Sequence, residues 1–198
     1  MKGHSARALV FWFTGLSGSG KTTLARLVGS RLAEAGWRPL VLDGDDLRPV
    51  LSSGLGFGVS DVVENNRRVA EHCASRRGEA DALLVPIISP YPEGRAVARA
   101  ILSPGFFEIY VAADLQTVMR RDPKGLYRRA RAGEIPDMLG FAPDYPYVPP
   151  DAPDFTVPSG RDTIPECSGN LYEYMERRLT EKEAAAPRPS SRGVPSSG

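Results

Sequence analysis

Residues 15–22 read Gly-Leu-Ser-Gly-Ser-Gly-Lys-Thr. They fit G-x-x-x-x-G-K-[ST], a loop that cradles phosphate. Gly15, Gly18 and Gly20 let the backbone curl and turn its N–H groups inward, and Leu16, Ser17 and Ser19 lie in the same cradle. The positive end of a helix starting near Lys21 adds to the attraction for phosphate oxygens. Lys21 can reach the outer phosphates of a triphosphate, and Thr22, followed by Thr23, offers a hydroxyl to Mg²⁺. A second group is Asp43 and Asp45, with one glycine between them. Asp43 suits metal coordination through water, and Asp45 suits the base that receives the proton of an attacking hydroxyl. The plainer reading of the pair is an Asx-type turn cap. Ser89 is a third candidate, and its plainer role is a helix N-cap. The basic stretch 121–133, RDPKGLYRRARAG, is either a solvated helix face or a lid that closes cations onto phosphates, with Gly125 and Gly133 as hinges.

These groups need a scaffold to bring them together. The apolar run Leu9-Val10-Phe11-Trp12-Phe13 reads as a buried strand directly before the loop. Leu24, Leu27, Val28 and Leu32 follow at helical spacing, so the loop has strand, turn and helix in the right order. Further strands are expected at 39–43, 82–88, 106–111 and 155–157. Helices are expected from Asp61 to about Arg77, from the Ser89-Pro90-Tyr91-Pro92 turn through Ile101, from Asp114 to about Arg120, and over about 164–179. Strands alternating with helices imply an α/β fold: a parallel sheet of about five strands flanked by helices. Ligands gather at the carboxyl ends of such strands, so the loop, the two aspartates and Ser89 should share one cleft.

The chain has 198 residues and a net charge of +1, which suits one domain of about 180 residues. Residues 181–198 carry no apolar pattern and read as a disordered tail. A near-neutral charge argues against a nucleic-acid partner, and no apolar run approaches a membrane span. The first residues lack the apolar core of a signal peptide. Two distant cysteines, Cys73 and Cys167, fit reduced thiols in a cytoplasmic protein.

At this point the chain resembles a family, the adenylyl-sulfate kinases (APS kinases). The resemblance rests on GLSGSGKTT at 15–23, LDGDDLR at 42–48, LGF at 55–57 and D-x-x-E-N-x-R-R at 61–68. It continues through IISPY at 87–91 and RDPKGLYRRARAGE at 121–134. It covers residues 9 to about 160. It implies a P-loop kinase fold with a basic lid, and transfer of phosphate from MgATP to the 3′-hydroxyl of adenosine 5′-phosphosulfate (APS). Gly15 to Thr23 would hold ATP, with Thr22 and Asp43 on the metal. Arg48, Asn65, Ile88 and Lys124 would line the acceptor-nucleotide site with Asp45 and Ser89, and Phe57 would stack on its adenine. Ser89 matches a serine sometimes described as a phosphoserine intermediate, although in-line attack by the bound hydroxyl needs none. The resemblance further implies a role in sulfate assimilation, and it allows for a homodimer.

The chain also departs from the pattern. The family usually has Arg where this chain has Val62, and often Arg where it has Pro92. Asp46 stands where Asn is common, and Gly58 where Ser is common. Either Arg67, Arg68 or Arg95 compensates for the arginine absent at 62, or the acceptor is another nucleotide-like metabolite.

Overall fold

The computed structural model describes residues 7–185. Five strands form one parallel sheet in the order β2-β3-β1-β4-β5. They are β1 (Leu9–Thr14), β2 (Pro39–Val41), β3 (Ala82–Pro86), β4 (Phe106–Val111) and β5 (Phe155–Val157). Every residue of β1 and β3 is buried, as an apolar run between two covering layers requires. The register pairs Phe11 with Leu84 on one side and with Phe107 on the other.

Side chains alternate along β1 and divide the core in two. Leu9, Phe11 and Phe13 pack under α1 (Lys21–Glu34) and α7 (Ile164–Ala185), against Leu24, Val28, Leu32, Leu171 and Met175. Val10 and Trp12 face the opposite layer, with Val69, Cys73, Ala98 and Leu102. That layer is α3 (Val59–Arg76) and α4 (Pro92–Leu102). A Cβ on Gly94 would stand 2.2 Å from Asn66 Nδ2, so glycine is what lets α4 approach α3 here.

Three short helices frame the carboxyl ends of the strands: α2 (Gly44–Leu51), α5 (Leu115–Arg121) and α6 (Leu126–Arg131). The acidic stretch expected to be a turn is instead the first turn of α2. Asp43 caps it, accepting the Asp45 amide at 3.1 Å. Pro49 sits inside that helix without ending it. The helix expected from Asp61 starts two residues earlier: α3 begins at Val59 with Gly58 as N-cap. At the far end α7 runs to Ala185, into the stretch read as tail. The rest of that tail, 186–198, lies outside the described residues.

Candidate active site

The phosphate loop leaves β1 and turns into α1 through Gly20, which has φ 102° and precedes the helix as its N-cap. Only glycine tolerates the start of the loop: a Cβ on Gly15, at φ 149°, would lie 2.6 Å from the Val111 carbonyl oxygen. Gly44 is a second close approach, since its Cβ would meet the Pro86 carbonyl oxygen and Ile87 Cγ1 at 3.2 Å. A glycine between the two aspartates thus lets the start of α2 sit against the end of β3.

A cavity of ≈ 660 Å³ opens along these ends. Ser17, Gly18, Ser19, Gly20, Lys21, Thr22 and Thr23 border it, as do Asp43, Asp45, Arg48, Phe57, Asn65, Ile88 and Lys124. Gly15, Leu16 and Ser89 do not. Gly15 shapes the loop, and Leu16 packs away from the cavity among Val118, Tyr127 and Met138.

Ser89 is a correction. It is fully buried, with φ 42°, and its hydroxyl accepts a hydrogen bond from Asn66 Nδ2 at 2.7 Å. The Ser89 carbonyl accepts from Arg95 Nη1 at 3.0 Å and from Thr14 Oγ1 at 3.1 Å. The hydroxyl is enclosed between α3 and α4 and does not border the cavity, nor does it cap α4, whose N-cap is Tyr91. The residue is structural: it turns the chain sharply after Ile88, which stays on the cavity wall.

The cations of the site have partners within the protein. Lys21 Nζ donates to the carbonyls of Gly15 and Leu16, both at 2.8 Å. Burial lowers its pKa to about 7, while the charges of Asp45 and Asp43 work in the opposite direction. Lys124 is paired with Asp45. Arg48 lies over the Phe57 ring, 4.3 Å from its centroid. Arg121 donates to the Ser159 carbonyl at 2.6 Å.

Val62, 5% exposed, borders the cavity. Arg67, Arg68 and Arg95, any of which could substitute for an arginine there, do not border the cavity. Arg67 and Arg68 both clasp Glu64, holding its carboxyl at about 2, and Arg68 also donates to the Leu51 carbonyl at 3.0 Å. Arg95 Nε is paired with Glu108 Oε1 at 2.8 Å, inside the protein.

The basic stretch splits into α5, a turn through Lys124 and Gly125, and α6. Gly125 (φ 65°) and Gly133 (φ 78°) bracket α6, as hinges would. Tyr127 nevertheless fastens α6 down: it is 2% exposed, and its hydroxyl donates to the Ser17 carbonyl at 2.9 Å. The cavity also runs past the loop to Arg121, Ser159, Asp162, Ile164 and Cys167. The sequence reading passed over these last four. They lie on a turn and a helix start far down the chain, and only the closure of β5 beside β4 brings them to the loop.

A parallel sheet with this loop after its first strand, an acidic pair after its second and a basic segment after its fourth defines a P-loop kinase of small molecules. The sequence matches the family described as adenylylsulphate kinase over residues 7–158. The chain belongs to that family. It is 45% identical over 180 residues to the adenylyl-sulfate kinase of Geotalea uraniireducens, covering 90% of this chain and 85% of that one. The structure is similar to that of the Mycobacterium tuberculosis APS kinase CysC in complex with AMPPNP and APS, with a TM-score of 0.78 and 42% identity. That match spans 87% of this chain and 99% of the other. A hexameric APS kinase from Thiobacillus denitrificans matches with a TM-score of 0.57 and 29% identity, over 90% of this chain and 30% of that chain.

Proposed function

We propose that the protein transfers the γ-phosphoryl group of ATP to the 3′-hydroxyl of APS, giving 3′-phosphoadenosine 5′-phosphosulfate and ADP. One observation carries the reading: the phosphate loop, the Asp43–Asp45 pair and the acceptor-side residues all open onto a single cavity. The loop amides and Lys21 hold the triphosphate from one end. Arg48, Asn65, Ile88 and Lys124 hold the acceptor nucleotide from the other, with its adenine on the Phe57 ring. Asp45 takes the proton of the 3′-hydroxyl as that oxygen bonds to the γ-phosphorus. The bond from that phosphorus to the β–γ bridging oxygen breaks, and ADP leaves. Lys124, paired with Asp45 and bordering the same cavity, supports a part for the basic turn in holding substrate.

Mg²⁺ belongs to the same reading. Thr22 and Asp43 both border the cavity, and oxygen donors of their kind suit a small hard cation that keeps several waters. Bound there with the phosphates, the ion would neutralise charge on the transferring group. A cytoplasmic setting fits two buried, unpaired cysteines, Cys73 and Cys167. No helix among the described residues is long and apolar enough to cross a membrane. A small nucleotide is the partner this cavity suits, and self-association into a homodimer is part of the proposal.

The test is a coupled assay for ADP release, with the 3′-phosphorylated product identified by chromatography. Turnover that depends on APS and vanishes in Lys21→Ala is expected. Release of ADP at the same rate with and without APS would remove the proposal.

A further inference from the structure

Two side chains outside the phosphate motif hold its backbone by the carbonyls, Tyr127 from outside the cavity and Ser159 from its edge. Tyr127, on α6, does not border the cavity, and its hydroxyl donates to the Ser17 carbonyl at 2.9 Å. Ser159, on the turn after β5, donates to the Ser19 carbonyl at 2.8 Å, with a longer approach to the Ala112 carbonyl at 3.3 Å. A peptide unit is planar and trans, so its C=O and N–H point in opposite directions. The N–H opposite the Ser17 carbonyl belongs to Gly18, and the one opposite the Ser19 carbonyl belongs to Gly20. Among the described residues neither amide has a hydrogen-bond acceptor. Both glycines border the cavity, at φ 77° and 102°. Glycine enters and leaves that region freely, so these two peptides can rotate unless their carbonyls are held.

We propose that Tyr127 and Ser159 are positioning residues for ATP: by fixing the Ser17 and Ser19 carbonyls, they aim the Gly18 and Gly20 amides at phosphate oxygens. The inference rests on the reading of the loop as the ATP site. Fixed donors stabilise an anion more than donors that must first reorient. The two ties come from separate parts of the chain and act on alternate peptides of one loop. Tyr127 can carry its role without moving. Its ring meets Phe141 edge-on, with centroids 5.7 Å apart, among Leu16, Val118 and Met138. Burial and the nearby Asp122 charge push its phenol pKa up, so it stays protonated and able to donate.

The effect must fall on phosphate and spare the base, which separates positioning from plain stability. Tyr127→Phe keeps the ring and removes the donor, Ser159→Ala removes the second donor, and Ser159→Thr restores a hydroxyl. The full-length variants are titrated calorimetrically with ADP and with adenosine, and KM is measured for ATP and for APS. Each donor-less variant should bind ADP about three- to tenfold more weakly, the effect of one net hydrogen bond. Adenosine affinity and the KM for APS should stay as in the wild type, and Ser159→Thr should recover ADP binding. ADP affinity unchanged in both variants, or ADP and adenosine weakened equally alongside a lowered melting temperature, overturns the proposal. Wild-type protein that binds adenosine as tightly as ADP would instead overturn the reading of the loop beneath it.

Discussion

At Lys21 burial and bound phosphate pull in opposite directions. Its pKa is lowered to about 7 by burial, against an ordinary value of 10.5. Between those two values the unfolded chain holds a proton that the folded protein lacks, so this lysine's contribution to stability rises with pH across that window. Phosphate oxygens favour the charged form and should restore the higher pKa. Binding of ADP near pH 8, above the lowered pKa, should therefore take up protons. Calorimetry in buffers of different ionisation enthalpy measures this, and a binding enthalpy independent of buffer would refute it. Val62 offers a second test. An arginine there would add a charge-assisted contact to an acceptor anion, worth roughly 1.5–3 kcal/mol, or about 10- to 100-fold in the KM for APS. Steady-state kinetics of Val62→Arg should show that fall, with the KM for ATP unchanged. An unchanged or higher KM for APS would mean that the site grips its acceptor without this position. The glycine pattern, Lys21 and the aspartates were legible because their chemistry depends on local spacing. The burial of Ser89 was not, because it depends on Asn66 and Arg95 arriving from two other elements.

Among the elements, α4 and β4 are joined by a buried ion pair. Arg95 and Glu108 are 4% and 7% exposed, and Arg99 Nη2 adds a contact to Glu108 Oε2 at 3.2 Å. Removing one partner of a buried pair leaves the other charge uncompensated and costs about 3–5 kcal/mol. Glu108→Ala should lower the unfolding free energy by that amount in a denaturant titration. It should also loosen Ser89, whose carbonyl Arg95 holds. A loss below about 1 kcal/mol, the range of an ordinary exposed pair, would show the pair to be effectively solvated. The acceptor-side loop before α3 carries its own test. Phe57→Ala should weaken APS by about 1–3 kcal/mol, read as an increase in the KM for APS, while leaving ATP untouched. An increase in the KM for ATP of the same size would move the stacking role elsewhere. Element types were readable wherever one face is apolar, as in β1, β3 and α1. The helix α2 was not, because none of its residues is buried and Pro49 argues against it. Its start is set by the Asp43 cap, which sequence presents equally well as a turn.

For the whole molecule, the alternation of strands and helices gave the parallel sheet and the side on which ligands gather. The lateral order β2-β3-β1-β4-β5 is set by crossover geometry, which composition does not encode. The far end of the cavity was hidden for the same reason. Ser159 and Cys167 reach the loop only because β5 closes beside β4. Since residues from several elements border the cavity, a ligand that fills it should stabilise the fold as a unit. ADP at 100 times its dissociation constant should add about 2.7 kcal/mol. A single melting transition that shifts upward as a whole would show this, whereas a second, unshifted transition would show a part that unfolds on its own.

Lys21 on its loop carbonyls, Lys124 on Asp45 and Arg48 on the Phe57 ring each have a partner within the protein. Substrate therefore arrives as a competitor for partners already taken, and each new contact replaces an old one. Its affinity should fall with added salt less steeply than four cavity cations would suggest, because mobile ions loosen the internal pairs along with the external ones.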